Sequence, residues 1–306
     1  MHNRLDSMMK VVNYAKEHGK EKTLLKYNLS PESLRRYKGE VKRRKKNWRT
    51  PKILLLDIET LPMVIHTWSL FMKNYSPKNI IHPTIPLMWS AKWLYSTETM
   101  HDILTPGEAI NRDDRRILES VWPLLDAADV VIAHNGDRFD IKKLNGFFFH
   151  HNMMPPSGFQ SVDTLKQSFK TMNLDSHKQE WITKYRCLEE KFETDYLLWV
   201  RCANGEQEAL DEMASYCDQD VNGLEDMYFA LLPWMKSHPN MGILMQSDAP
   251  VCGGCGSQHL KPSGEYVTNA GSYPRYRCLD CGHQSKSRFS SLSPAQKRNL
   301  LVSTAR

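Results

Sequence analysis

Residues 53–61 read Ile-Leu-Leu-Leu-Asp-Ile-Glu-Thr-Leu, and this stretch decides the fold. Ile53, Leu54, Leu55 and Leu56 form a short unbroken apolar run, the pattern of a buried strand. Side chains alternate along a strand, so Asp57 and Glu59 project together from its end. Two carboxylates so close raise each other's pKa unless a cation sits between them. Hard divalent ions such as Mg²⁺ and Mn²⁺ take oxygen ligands of this kind. A solvated strand end carries the same D-x-E pattern, so the pair alone does not choose.

Working outward, a second apolar run at 129–133 also reads as a strand. His134-Asn135-Gly136-Asp137-Arg138-Phe139-Asp140 follows it and sets Asp140 at the start of a helix over 138–151. Further strands are expected within 85–105, where aromatic residues alternate. A helix is expected over 111–127, with Ile117, Leu118, Val121, Leu124 and Leu125 on its apolar side. The clearest helical stretch is 207–235, with a break near Pro233. On that helix Tyr216 and Asp220 are one turn apart and share a face. Tyr216 alone also fits an amphipathic core position. Asp218 is expected to point away from that face, into solvent. Strands and helices in this order predict a three-layer α/β domain.

The three pieces together, D-x-E-T at 57–60, H-N-x-x-x-F-D at 134–140 and Y-x-x-x-D at 216–220, resemble the DEDD 3′→5′ exonucleases of the ribonuclease-H-like superfamily. Tyrosine, not histidine, stands four residues before the last aspartate. This resembles the DEDDy subgroup, found in the proofreading domains of family-B DNA polymerases. The resemblance covers roughly residues 50–235. It implies a ribonuclease-H-like domain with a mixed central sheet and a site binding two Mg²⁺ or Mn²⁺ ions. Asp57 would bridge the ions. Glu59 and Asp220 would complete one ion's site, and Asp140 would hold the other. Tyr216 would orient the attacking water. Asn135 and Phe139 match positions lining the 3′-terminal nucleotide, although Phe139 equally fits a core. Thr60 and Leu61 follow the first motif and are counted as substrate contacts, with a buried leucine the other reading of Leu61. Asp163-Thr164 is read as a supporting element behind the ligands.

The flanks differ in charge from this middle. The chain carries a net +6, but residues 1–50 hold 15 Lys/Arg against 5 Asp/Glu, and residues 251–306 hold 8 against 2. Residues 51–250 keep the remaining 18 and 28. An acidic block that gathers cations thus sits between basic ends suited to a polyanion. Helices are expected over 5–19, about 21–27, and from Pro31, where Ser30 is a good N-cap. The third helix carries Arg35 and Arg36 and runs into Lys42-Arg43-Arg44-Lys45-Lys46. Three short helices with a basic third one resemble a helix-turn-helix domain, here 1–47, with Arg35 and Arg36 as nucleic-acid contacts. A small three-helix unit that binds protein, or nothing, has the same pattern. Trp48, Thr50 and Pro51 mark a junction, and the nuclease-like domain is set at 48–240.

After Pro239 the chain reads as loop. Four of its seven cysteines form C-x2-C-x22-C-x2-C: Cys252, Cys255, Cys278 and Cys281. Cys187, Cys202 and Cys217 are scattered. Matched CxxC pairs fill one tetrahedral ion, so a structural Zn²⁺ is expected. Gly256 and Gly282 follow each pair, where knuckle turns favour glycine. The segment 250–288 resembles a zinc ribbon, and 289–306 is a basic tail with a short helix starting at Ser293-Pro294. Tyr273, Arg275, Tyr276, Arg277, Lys286 and Arg288 mix aromatic and basic groups in a way that suits nucleic acid, although ribbons also bind proteins.

No apolar stretch approaches a membrane span, and no signal peptide is seen at the N-terminus, so the expected place is the cytoplasm of a bacterium or a virus-infected cell. The expected activity is that of a stand-alone 3′→5′ exonuclease acting on nucleic acid, DNA favoured over RNA. A replication or repair protein is a further candidate partner. A non-catalytic DNA-binding protein, or a structure-specific endonuclease using the same metals, is the alternative.

Overall fold

The computed structural model describes residues 3–44, 49–71, 74–186 and 194–302. Lys45 and Lys46 of the basic string, the junction residue Trp48, and Cys187 lie outside them. The chain divides into two compact units, one formed by Met1–Pro51 with Phe229–Arg306, the other by Lys52–Tyr228.

The first unit opens with helices α1 (Asn3–His18), α2 (Lys20–Tyr27) and α3 (Pro31–Arg44). Ser30 caps α3 as expected, its hydroxyl accepting the Ser33 N–H at 3.1 Å. Met8, Val11, Val12 and Ala15 of α1 are buried, as are Leu34 and Tyr37 of α3. Arg36 corrects an expectation. It is 5% exposed, its guanidinium lies 3.5 Å from the Phe229 ring centre, and it donates to the Phe229 carbonyl at 3.2 Å. Helical spacing puts Arg36 on the side of α3 that packs, so it offers no surface to a polyanion. Arg35 is exposed and donates to the Asp280 carbonyl.

The second unit begins with β1 (Ile53–Leu61). The pair β2 (Val64–Ile65) and β3 (Ile80–His82), then β4 (Ile85–Trp93) and β5 (Met100–Ile103), follow. Next come α4 (Pro106–Asn111), α5 (Arg115–Ala127), β6 (Val130–Ala133), α6 (Asp140–His150), β7 (Gln160–Asp163) and α7 (Thr164–Thr171). The helices α8 (Gln179–Tyr185), α9 (Tyr196–Ala203) and α10 (Gln207–Leu231) end the series. Five strands form one mixed sheet in the order β5-β4-β1-β6-β7. β4 runs antiparallel to β1 and to β5, while β6 runs parallel to β1 and to β7. Ile53, Leu54, Leu55 and Leu56 are all buried, so the centre of β1 is covered on both faces. Leu61 is fully buried with them. It packs in the core, which is the buried-leucine reading of its position.

The first unit resumes with a 3-10 turn, Leu232–Trp234, where Pro233 ends the long helix as expected. Then come α11 (Met241–Leu244), β8 (Leu260–Thr268), β9 (Gly271–Cys278), β10 (Gln284–Lys286) and α12 (Pro294–Asn299). The loop expected after Pro239 is thus largely a three-stranded antiparallel sheet, β10-β9-β8. Its strands bury few residues, so apolar periodicity does not announce them. Ser293 caps α12 through its hydroxyl, with Gln296 reaching back in a reciprocal pair. Among the described residues, no helix is long and apolar enough to cross a membrane.

Candidate metal centres

β1 pairs with β6 only through Ile53, Leu54 and Leu55. Beyond that point its Ile58 N–H is taken by the Asp140 carboxylate at 3.1 Å. One side chain thus replaces the missing strand and is drawn to the same end of β1 as Asp57. The turn that delivers Asp140 is tightly built. Asn135 adopts left-handed backbone, φ 67°. A Cβ on Gly136 would lie 2.4 Å from the Ala133 Cβ, so only glycine fits there. Asp163 accepts the N–H groups of Asn135 at 3.1 Å and Asp137 at 3.3 Å, and caps α7 through Lys166 N–H at 3.1 Å. Thr164 meets His134 Nδ1 at 2.9 Å. Asp163 and Thr164 therefore fasten the turn from behind.

α10 supplies the other side of the site. Asp57 lies opposite Ser90 of β4, and Ser90 lies opposite His101 of β5, so the three share one face. Asp218 bridges to both, accepting from Ser90 Oγ at 2.6 Å and meeting His101 Nδ1 at 2.8 Å. One and two turns on, Asn222 and Glu225 bind Lys92, Asn222 at 3.0 Å and Glu225 as a buried ion pair of 2.7 Å. Glu225 also accepts the Tyr95 N–H at 3.1 Å. Asp218 is therefore not a solvated residue, as its spacing suggested, but the first rung of a polar ladder that sets α10 against the sheet. The ladder fixes where Asp220 ends up, and Gln179 of α8 holds the Asp220 carbonyl at 2.8 Å.

The result is a cluster in which Asp57, Glu59 and Asp220 each offer an oxygen within 4.8 Å of the others. Asp140 stands outside this triplet but its charge reaches Asp57. Burial, then the charges of Asp140, Glu59 and Asp220, push the Asp57 carboxyl well above its ordinary range. Asp140 is pushed up to about 7, chiefly by burial, against the hydrogen bonds from its own N–H and that of Ile58. Tyr216 is half-buried, one turn before Asp220, with Trp199 of α9 edge-on at 6.3 Å. Phe139 is partly buried against the core, and Thr60 and Asn135 are half-exposed.

Cys217, one of the cysteines outside the CxxC pairs, is buried beside this cluster. Its thiol lies 3.4 Å from Asp57 Oδ2, and burial first, with the Asp57 charge next, raises its pKa. Met213, Cys217, Asp220 and Leu224 lie at helical spacing on one face of α10, so the placement was readable from Asp220.

The second centre is built on two matched knuckles. Cys252 N–H bonds the Ser257 carbonyl and Cys278 N–H the His283 carbonyl, at 2.7 and 2.9 Å. Gly256 and Gly282 N–H return to the Cys252 and Cys278 carbonyls at 2.8 and 3.0 Å, with φ 70° and 77°. That left-handed backbone is why glycine stands at both places. The four sulfurs lie within 4.8 Å of one another. Cys252–Cys281 and Cys255–Cys278 are each 3.6 Å apart, far beyond the roughly 2.05 Å of a disulfide. Zn–S bonds of about 2.3 Å give a tetrahedron with edges of about 3.8 Å, so the four thiolates fit a zinc ion. Hydrogen bonding among the thiols drives Cys252 and Cys278 below the ordinary thiol range and Cys255 and Cys281 above it.

No protein-family profile matches the chain, and no curated protein does. Among solved structures, the chain is similar to the family B DNA polymerase from the hyperthermophilic archaeon Pyrobaculum calidifontis, with 14% identity and a TM-score of 0.44. The similarity covers 60% of this chain and 25% of the polymerase chain, so this chain spans about a quarter of that protein's length.

Proposed function

We propose that the chain is a metal-dependent 3′→5′ exonuclease of the DEDDy type, acting on nucleic acid with DNA favoured over RNA. The observation that carries this reading is the convergence of Asp57, Glu59 and Asp220 within 4.8 Å, beside an Asp140 tied to the same strand. Strand order β5-β4-β1-β6-β7, with β4 antiparallel to its neighbours, supports a ribonuclease-H-like fold for residues 48–240. The donor set is all carboxylate oxygen, which fits Mg²⁺ or Mn²⁺ and not a soft ion. When bound, such ions would supply a more acidic attacking water and stabilise charge on the leaving 3′ oxygen. Asp57, Glu59 and Asp220 would hold one ion, and Asp57 with Asp140 would hold the other. The Tyr216 hydroxyl orients the attacking water, with Trp199 limiting the ring's freedom. Thr60, Asn135 and Phe139 are the groups left to meet the terminal nucleotide. No protein nucleophile takes part.

Residues 250–288 are proposed as a zinc ribbon with one structural Zn²⁺, residues 1–47 as a helix-turn-helix-like domain, and 289–306 as a basic tail. The test is a set of 3′- and 5′-labelled DNA and RNA oligomers, single- and double-stranded, with Mg²⁺ or Mn²⁺. We expect mononucleotides released from the 3′ end, none with Asp57→Ala, and a closed circle left intact. Hydrolysis that survives Asp57→Ala overturns the site, and cleavage of the circle replaces the exonuclease by an endonuclease.

A further inference from the structure

Within the unit formed by Met1–Pro51 and Phe229–Arg306, a cleft of about 510 Å³ opens between the 3-10 turn Leu232–Trp234 and the β8–β9–β10 sheet. That volume is in the range of roughly 300–1,000 Å³ typical of small-ligand pockets. The sheet register shows which side chains share a face. Lys286 lies opposite Arg275, and Tyr266 opposite Tyr273. Tyr273 and Arg275 are two apart on β9, so all four stand on one side. Lys286 Nζ sits 4.6 Å from the Tyr266 ring centre and 4.7 Å from that of Tyr273, a cation held against two aromatic faces. Arg275 Nε is anchored on the Ser263 carbonyl at 2.9 Å, which fixes the guanidinium in place. Across the cleft, Trp234 leaves its indole 62% exposed, and Lys236 follows it.

No carboxylate lines this cleft. Among the described residues, none of Lys236, Arg275 and Lys286 has an acidic partner. Three cations with no acidic partner beside an exposed indole form a surface complementary to a polyanion that carries flat bases. An indole that projects between phosphate-binding groups suits a base face, which a duplex hides in its stack.

We propose that this cleft binds single-stranded nucleic acid, with a base stacked on Trp234 and the backbone phosphates held by Lys236, Arg275 and Lys286. The inference deepens the nuclease reading and rests on it for the class of substrate, since it gives that substrate a second hold outside the carboxylate centre.

The test is binding of fluorescent single-stranded DNA and RNA oligomers to the full chain carrying Asp57→Ala, without added Mg²⁺, across a range of salt concentrations. Two variants in that background separate stacking from charge. Trp234→Ala should weaken binding about tenfold, the scale of one lost base stack, and leave the salt dependence as it was. Lys286→Gln should lower the slope of log affinity against log salt by about 0.7, the share of one phosphate contact on a single strand. Lys286 is exposed on an edge strand, so this second variant reads the cleft even if Trp234→Ala disturbs folding. Crosslinking of a bromouracil strand should map to peptides holding Trp234 or Tyr266. Unchanged affinity and slope in both variants overturns the proposal. So does equal binding of duplex, or displacement of the oligomer by polyglutamate at the same charge concentration, which would mark an acidic protein as the occupant. Because hydrolysis is not read, loss of the nuclease reading leaves these outcomes intact, and intact hydrolysis does not rescue a failed cleft.

Discussion

Replacing Asp57 by Asn should make the metal-free fold more stable. Asp57, Glu59 and Asp220 bring oxygens within 4.8 Å of one another, and Asp140 adds a further charge. Two unit charges 4.8 Å apart repel by about 3.5 kcal/mol at an effective dielectric near 20. Proton uptake relieves part of that strain, because burial, and then the same repulsion, has already raised the Asp57 pKa. A net gain of about 1–2 kcal/mol is therefore expected near neutral pH, or a rise in Tm of about 2–8 °C for the transition of residues 52–228. The sign with pH follows from the direction of the shifts. Asp57 and Asp140 have folded pKa values above their unfolded ones, with Asp140 at about 7. Their contribution to stability is thus full below the unfolded carboxylate range and is lost as pH rises through the folded values. The advantage of Asp57→Asn should accordingly grow between about pH 5 and pH 8. Mg²⁺ should reverse the ranking, since an ion at a hundred times its dissociation constant stabilises the wild type by about 2.7 kcal/mol. The assay is thermal unfolding at several pH values, with and without Mg²⁺. A metal-free Asp57→Asn protein less stable than wild type, or one that Mg²⁺ stabilises equally, would refute the reasoning and make Asp57 a structural anchor.

Three further outcomes follow from particular contacts. Gly136→Ala forces a Cβ to 2.4 Å from that of Ala133; the overpacked turn should cost about 1–3 kcal/mol in chemical unfolding and displace Asp140, so that hydrolysis falls with it. Lys92→Met leaves Glu225 charged and buried, at a cost of about 3–5 kcal/mol, whereas Lys92→Met with Glu225→Leu should recover much of that; a double variant no more stable than the single one sinks the ladder argument. Cys278→Ser should take the zinc content from one ion per chain to none in a chelator assay and remove the cooperative unfolding of the four-cysteine segment, while a variant that keeps its zinc refutes the four-thiolate site.

How much of this was legible depends on whether a residue's neighbours lie near it in the chain. Ile53 to Leu56 announce a central strand because burial on both faces leaves no alternation to read. Two-residue spacing put Asp57 and Glu59 on one side, and four-residue spacing tied Tyr216 to Asp220. These are rules of local geometry, and the strand and helix obey them. The strands of the four-cysteine segment were not legible, because a sheet that buries few side chains shows no apolar period. Arg36 misled for a related reason. It is of a type that suits a polyanion, yet helical packing turns it onto Phe229.

For Asp218, helical spacing gives the direction of the side chain but not what lies there. The side chain does point away from the face shared by Tyr216 and Asp220. That direction leads not to solvent but to Ser90 and His101 on the neighbouring strands. The acidic residues of α10 thus divide into two sets. Asp218 and Glu225 bind partners on β4 and β5, while Asp220 is turned toward the carboxylates of Asp57 and Glu59. Electrostatics alone would not bring Asp220 there, and the metal-free cluster resists it. The favourable contacts of the first set offset the unfavourable contacts of the second, because both hang on one rigid helix. A cation at the carboxylate cluster would then add binding energy to a geometry already assembled, so metal affinity should fall when the ladder is cut at Ser90→Ala even though Ser90 is not itself one of the carboxylates. Calorimetric Mg²⁺ titration of that variant, with unaltered thermal unfolding in the absence of metal as the control, distinguishes a weakened register from a weakened fold; an unchanged affinity would show that Asp220 is placed by other contacts.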